Sequence, residues 1–217
     1  MLRAHDERGL DLYLLLRAAA SADPWDVARP APVWSRALGL PTPHDDGTAT
    51  VSKVWRRLDE TYGLVTRTRK GRLAQITMLL EDGSRQPYTY PQGGRGRGDG
   101  RYFKLPHAYW TDEHAWYSNL SFPAKAMLLI ALSLTPPFLL PTEKAPRWYG
   151  ISTDSAERGL RELGKVDLLQ RRAEHKTDWL TAAEYVVQYR YQLRSPFGAS
   201  RRQRGHIHIH VAGEAAS

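Results

Sequence analysis

Apolar residues in the stretch 51–62 recur at helical spacing. Val51, Val54, Trp55, Leu58 and Tyr62 fall on one narrow arc of a helical wheel, with Ser52, Lys53, Arg56 and Arg57 on the other side. The same periodicity predicts a helix in "LDLYLLLRAAAS" (10–21). After a Pro-rich break, "PVWSRALGL" (32–40) reads as a short second helix closed by Gly39. The third helix begins near Thr50, behind the loop "PTPHDDGTAT", and ends at Gly63. Beyond it, "LVTRTRKGRLAQITMLLEDG" predicts two strands with a basic turn at Lys70-Gly71. The first half therefore reads helix, helix, helix, hairpin.

The second half repeats that order. "RYFKLPHAYW" (101–110) is aromatic and strand-like. Ser121 followed by Pro123 is a good start for the helix "FPAKAMLLIALSL", which is apolar on nearly all sides and is predicted to be the central helix of its domain. "TEKAPRWYGIS" predicts a short helix and a Gly turn. "TDSAERGLRELGKV" predicts a further helix with a buried stripe of Ala156, Leu160 and Leu163, and "DLLQRRAEHK" with "AEYVVQYRYQLR" a long hairpin. The expected class is α+β, mainly helical.

Between the halves, "PQGGRGRGDGR" (91–101) holds glycine at a density that is costly to order, and is expected to be a linker. The expected division is a first domain over 1–90, the linker, a second domain over 102–195 and a basic, His-containing tail over 196–217. Aromatic residues such as Trp116, Trp148, Tyr189 and Tyr191 are expected to fill the cores of these small domains.

Charge narrows the partners. The 217 residues carry a formal net charge of +8, which fits a polyanion, nucleic acid before an acidic membrane surface. Of 31 basic residues only 7 are Lys, and a guanidinium grips phosphate or guanine bidentately where an ammonium does not. The chain has no cysteine, which excludes disulfides, thiolate zinc sites and thiol nucleophiles. The N-terminal apolar stretch is interrupted by charge, and the longest apolar run, Ala126 to Leu132, is far too short to cross a bilayer. A cytoplasmic protein with no membrane partner is expected.

Candidate contacts concentrate in the third helix and the hairpin behind it. A recognition helix presents its N-terminal part to base edges, and Thr48, Thr50, Ser52, Lys53, Arg56 and Arg57 supply hydroxyl and basic groups there. Arg67, Arg69, Lys70 and Arg72 crowd the hairpin with no acid nearby in sequence, a repulsion that a phosphate backbone or minor groove relieves. In the second half, Ser152, Thr153 and Ser155 stand at a helix start, Arg158 and Arg161 on its exposed side, and Arg171 and Arg172 open the hairpin. Acids largely cancel these charges, so scaffold or dimer surface and second DNA reader remain equal alternatives.

In the tail, Arg201, Arg202 and Arg204 form a basic arm, and His206, His208 and His210 alternate with Ile. Three imidazoles on one strand face are a metal-ligating pattern, but the position near the C-terminus favours an edge strand or tail. No Gly-rich phosphate loop, nucleophile elbow or paired carboxylates stand out. Neither an enzyme nor a cofactor or metal is expected.

With these elements placed, the chain resembles tandem winged helix-turn-helix DNA-binding proteins, and within them the replication-initiator and regulatory proteins of plasmids and phages. The resemblance covers residues 1 to about 195 and rests on element order; "YFKLPHAYW" and "LPTEKAPRWYGIS" look like family motifs. It implies two winged helices in tandem and a sequence-specific double-stranded DNA binder acting as a transcriptional regulator. Alternatives are a replication initiator binding origin repeats and a winged-helix scaffold for protein interactions. Double-stranded DNA, with a second copy of the chain in a homodimer, is the implied partner.

Overall fold

The computed structural model describes residues 1–42, 44–91, 102–111, 113–177, 185–198 and 206–210; for 176, 177, 185, 186 and 206–210 it describes the backbone alone. The expected linker at 92–101, the basic arm of Arg201, Arg202 and Arg204, and the imidazoles of His206, His208 and His210 lie outside these descriptions. The chain is mixed α+β and divides into two compact units, the first over Arg3–Lys104 together with His206–His210 and the second from Leu105.

In the first unit, helix α1 (Glu7–Ala19) starts at Asp6, whose carboxylate accepts the Gly9 N–H at 3.0 Å. It sends Leu12, Tyr13 and Leu16 into the core. Strand β1 (Asp26–Ala28) and helix α2 (Ala31–Ala37) follow, then helix α3 (Thr48–Arg56), which continues as a wider turn through Arg57–Thr61. Strands β2 (Val65–Lys70) and β3 (Leu73–Met78) close the unit. The sheet is antiparallel in the order β1-β3-β2, with Val27 opposite Ile76 and Val65 opposite Met78. Strand β1 falls in the expected Pro-rich break, because three residues are too few for an alternating pattern to register.

The apolar arc of α3 supplies the centre of this core. Val51, Val54, Trp55 and Leu58 are buried, and Trp55 meets Trp34 of α2 edge to face at 5.3 Å. Tyr62 is half-buried and turns its hydroxyl to Asp6 at 3.2 Å. Helix α3 begins at Thr48 rather than near Thr50. Asp46 sets this start by accepting both the Thr48 N–H at 2.9 Å and its hydroxyl at 2.7 Å.

Gly47 makes the turn between α2 and α3. Its φ is +72°, and a Cβ there would lie 2.4 Å from Ser35 Oγ and 2.7 Å from Leu40 Cβ. The Ser35 hydroxyl in turn donates to the Asp46 carbonyl. No side chain fits at 47 without displacing this pin.

The second unit has its own helices and three-stranded sheet. After β4 (Tyr102–Pro106), which spans the division, come the short helices α4 (Ala108–Thr111) and α5 (Trp116–Asn119), and helix α6 (Phe122–Ser133) is capped by Ser121. Ala124 through Leu128, Ile130 and Ala131 are all buried, so α6 is the central helix that its composition predicts. Strand β5 (Phe138–Leu139), helix α7 (Ala145–Tyr149), helix α8 (Thr153–Lys165) and strands β6 (Leu169–Thr177) and β7 (Tyr185–Leu193) follow. Their antiparallel sheet has the order β5-β7-β6, so here too a short strand flanks the last strand of the hairpin. Helices α6 and α8 cross closely at Gly159, where a Cβ would lie 2.4 Å from the Pro123 carbonyl oxygen.

Two pieces after residue 195 are described. Phe197 is buried with its ring against those of Tyr109 and Trp116, and β8 (His206–His210) pairs with β4. An isolated aromatic beyond a hairpin carries no periodic signal, which is why the sequence does not announce this packing.

Gly47→Ala is expected to lower stability by about 2–5 kcal/mol, combining a left-handed backbone with overpacking. Gly71→Ala, at φ +61° with nothing within 4 Å of its Cβ, bears the backbone cost alone. That cost is about 1–2 kcal/mol. Urea unfolding midpoints of the two variants check the difference.

Candidate nucleic-acid interface

The third helix and hairpin of the first unit share one side. Residues 65, 67 and 69 lie on the same face of β2. That face is buried at Val65 and exposed at Arg67 and Arg69. The core therefore ends beneath Arg67, whose guanidinium reaches across to α3 and donates to Ser52 Oγ at 3.2 Å. Gly71 and Arg72 make the exposed tip between Lys70 and Leu73, which stand opposite each other.

The basic side chains divide into committed and uncommitted groups. Arg57 is committed: its Nε and Nη2 donate to the two oxygens of Asp6 at 2.9 and 2.8 Å. Hydrogen bonding to Asp6, the largest influence, raises the Arg57 pKa. Burial alone would raise the Asp6 pKa, but the hydrogen bonds from Arg57, the Gly9 N–H and Tyr62 outweigh it and hold the carboxyl below its usual range. Arg57 thus faces α1 and is placed as a tie between helices. Lys53, Arg56, Arg69, Lys70 and Arg72 are exposed, and among the described residues none of them pairs with an acid.

Two acids of this region, Asp59 and Asp46, are already engaged. Asp59 accepts the Arg67 N–H at 3.1 Å and pairs with Arg85 at 2.8 Å, an arginine at φ +62°. Asp46 sits at the start of α3 with its pKa lowered, first by the Thr48 N–H and then by the Thr48 hydroxyl. Thr48 is therefore held by Asp46, while Thr50 and Ser52 stand half-exposed farther along the helix.

Arg29 and Arg85 belong to this surface by position and were not singled out by the sequence. Arg29 precedes α2 and lines a cavity with Ser52, Arg67 and Arg72. Its only sequence signal is a basic residue before Pro30, too common to mark a site.

The second unit brings fewer free cations together. Ser152 caps α8 by accepting the Ser155 N–H at 3.2 Å, and Ser155 itself is buried. Thr153 is half-exposed on the first turn. Arg158 pairs with Asp154 at 3.0 Å, whereas Arg161 is exposed without an acid among the described residues. Arg171 lies 4.5 Å over the Tyr189 ring, and Arg172 stands opposite Arg190, which pairs with Glu174. Arg194 pairs with Asp167. Most of these sequence candidates are thus engaged locally.

Among the described residues no group of three or more His, Asp or Glu is arranged to hold a metal, and no helix is long and apolar enough to cross a membrane. Compared with protein-family models, with curated proteins and with solved structures, the chain finds no match.

Asp6→Asn is expected to lower stability at pH 7 by about 2 kcal/mol, through loss of charged hydrogen bonds to Arg57 and a weaker cap on α1. Because the folded pKa of Asp6 is depressed, its contribution is full above the unfolded value near 3.9 and fades as pH falls through the folded one. Denaturant titrations of both proteins should show a constant gap above about pH 5 that closes at lower pH.

Proposed function

We propose that the chain is a sequence-specific double-stranded DNA-binding protein that acts as a transcriptional regulator and is built as two winged helix-turn-helix domains in tandem. The observation that carries this reading is the exposed cluster of Arg69, Lys70 and Arg72, uncompensated among the described residues, beside Ser52, Lys53 and Arg56 of α3. Like charges this close are costly unless a polyanion lies against them. Sheet order supports the winged reading: each unit flanks its hairpin with a short strand on the side of the last strand.

In this mechanism α3 enters the major groove through Thr50, Ser52, Lys53 and Arg56, and the hairpin lies along the phosphates. Arg56 is the arginine on α3 left to meet a guanine edge, because Arg57 is held by Asp6. Arg67 couples the two elements through Ser52, so a shift of the hairpin on the backbone is felt at the helix. The second unit extends the footprint or mediates dimerisation.

Titration of the whole chain onto genomic fragments at two salt concentrations tests this. Affinity is expected to fall with salt at a slope of roughly 0.9 per phosphate contacted, and one class of fragment should retain tight binding. Arg69→Ala with Lys70→Ala should weaken all duplexes alike, by about tenfold or more, and reduce the salt slope by about 2. Arg56→Ala should narrow the gap between preferred and random sequence. Equal binding to all sequences by the unaltered protein would end the regulator reading.

A further inference from the structure

Between α2, α3 and the hairpin tip of the first unit lies a cavity of about 300 Å³. Arg29, Arg67, Arg72 and Ser52 are its polar lining residues. Its remaining lining is apolar, with Pro30, Trp34 and Leu73 among it, and no acid contributes. The volume stands at the lower edge of small-molecule sites, which span roughly 300–1,000 Å³.

Two features of this cavity exceed what a surface for duplex phosphates requires. A phosphate running past the hairpin needs arginines alone; an apolar floor behind them gives it nothing. The third arginine also comes from a separate segment, since Arg29 lies between β1 and α2. Arg29 makes one exposed hydrogen bond, to the Ala28 carbonyl at 3.3 Å, and no ion pair among the described residues. Ser52 Oγ accepts from Arg67, so its own O–H remains to donate to an anion.

We infer that this cavity is a binding site for a single nucleotide unit. The phosphate is gripped by Arg29, Arg67, Arg72 and Ser52, and the flat apolar body lies over Pro30 and Leu73. Charge-assisted, fork-shaped contacts suit the phosphate, and the apolar lining suits a base or sugar face. The same chemistry is offered by a free mononucleotide and by an unpaired nucleotide of a strand. The site shares Ser52, Arg67 and Arg72 with the proposed duplex surface, but it rests on Arg29 and the apolar floor, which that surface does not use.

Calorimetric titration of the full chain with deoxyadenosine monophosphate, and separately with inorganic phosphate, tests the site. The nucleotide is expected to bind below about 1 mM and at least about tenfold more tightly than phosphate. Arg29→Ala should weaken it by about tenfold. Ala31→Phe, at a half-exposed lining position, should abolish nucleotide binding with the far-ultraviolet circular dichroism unchanged. A duplex ending in one unpaired adenosine is then compared with its blunt counterpart: tighter binding makes the strand the source, and equal binding makes it the free nucleotide. Equal affinity for nucleotide and phosphate, or nucleotide binding that survives Ala31→Phe, overturns the site. Tight duplex binding with no nucleotide binding also overturns it while leaving the regulator reading intact. Nucleotide binding without duplex binding does the reverse.

Discussion

Asp6 accepts hydrogen bonds from the Gly9 N–H, from both Arg57 Nε and Nη2, and from the Tyr62 hydroxyl. It therefore caps α1 and, with the same two oxygens, fixes the far end of the third helix. The buried arc of Val51, Val54, Trp55 and Leu58, with Trp55 edge to face against Trp34, sets the rotation of α3 about its axis, and the tie holds its end. With that arc turned inward, Ser52, Lys53 and Arg56 stay toward the surface, Lys53 on the same side as Arg57 because about 3.6 residues complete a turn. What the helix shows to a ligand is thus decided by its packing, and Asp6, 51 positions away, takes Arg57 out of that set.

The two three-stranded sheets have equivalent strand orders, and the units differ in how their charges are settled. In the second, Arg158, Arg190 and Arg194 each have a carboxylate, and Arg171 rests on Tyr189. In the first, Asp6 and Asp59 are drawn off by Arg57 and Arg85, and among the described residues no acid pairs with Arg69, Lys70 or Arg72 at the hairpin tip. The excess positive charge is in this way a product of tertiary pairing as much as of composition. Exposed ion pairs contribute little stability, so the second unit gains little from its pairs. Their main consequence is that those arginines are less available to a polyanion.

Legibility followed the length and periodicity of each element. Helices α1, α3, α6 and α8 were plain because apolar positions recur along them, and Gly39, Gly63, Gly71 and Gly150 mark stops and turns with positive φ. Strands β1 and β5, of three and two residues, carry no pattern and exist through pairing with distant strands. The same division holds for the site. The crowding of Arg67, Arg69, Lys70 and Arg72 is local and was visible, whereas the capture of Arg57 by Asp6 and the approach of Arg29 to Ser52 depend on the folded core.

The start of α3 adds a final constraint on any anionic ligand. A helix N-terminus ordinarily attracts phosphate through its free N–H groups and dipole. Here Asp46 already takes the Thr48 N–H and hydroxyl, and Asp45 takes the Gly47 N–H at 2.9 Å. A phosphate approaching along the helix axis meets two carboxylates. Negative charge is instead favoured from the hairpin side, where Ser52, Arg67, Arg72 and Arg29 converge without an acid. Under the proposed reading, the base-facing part of α3 therefore begins inside the first turn, at Thr50 and Ser52, rather than at Thr48. The hairpin determines how deeply that part enters the groove.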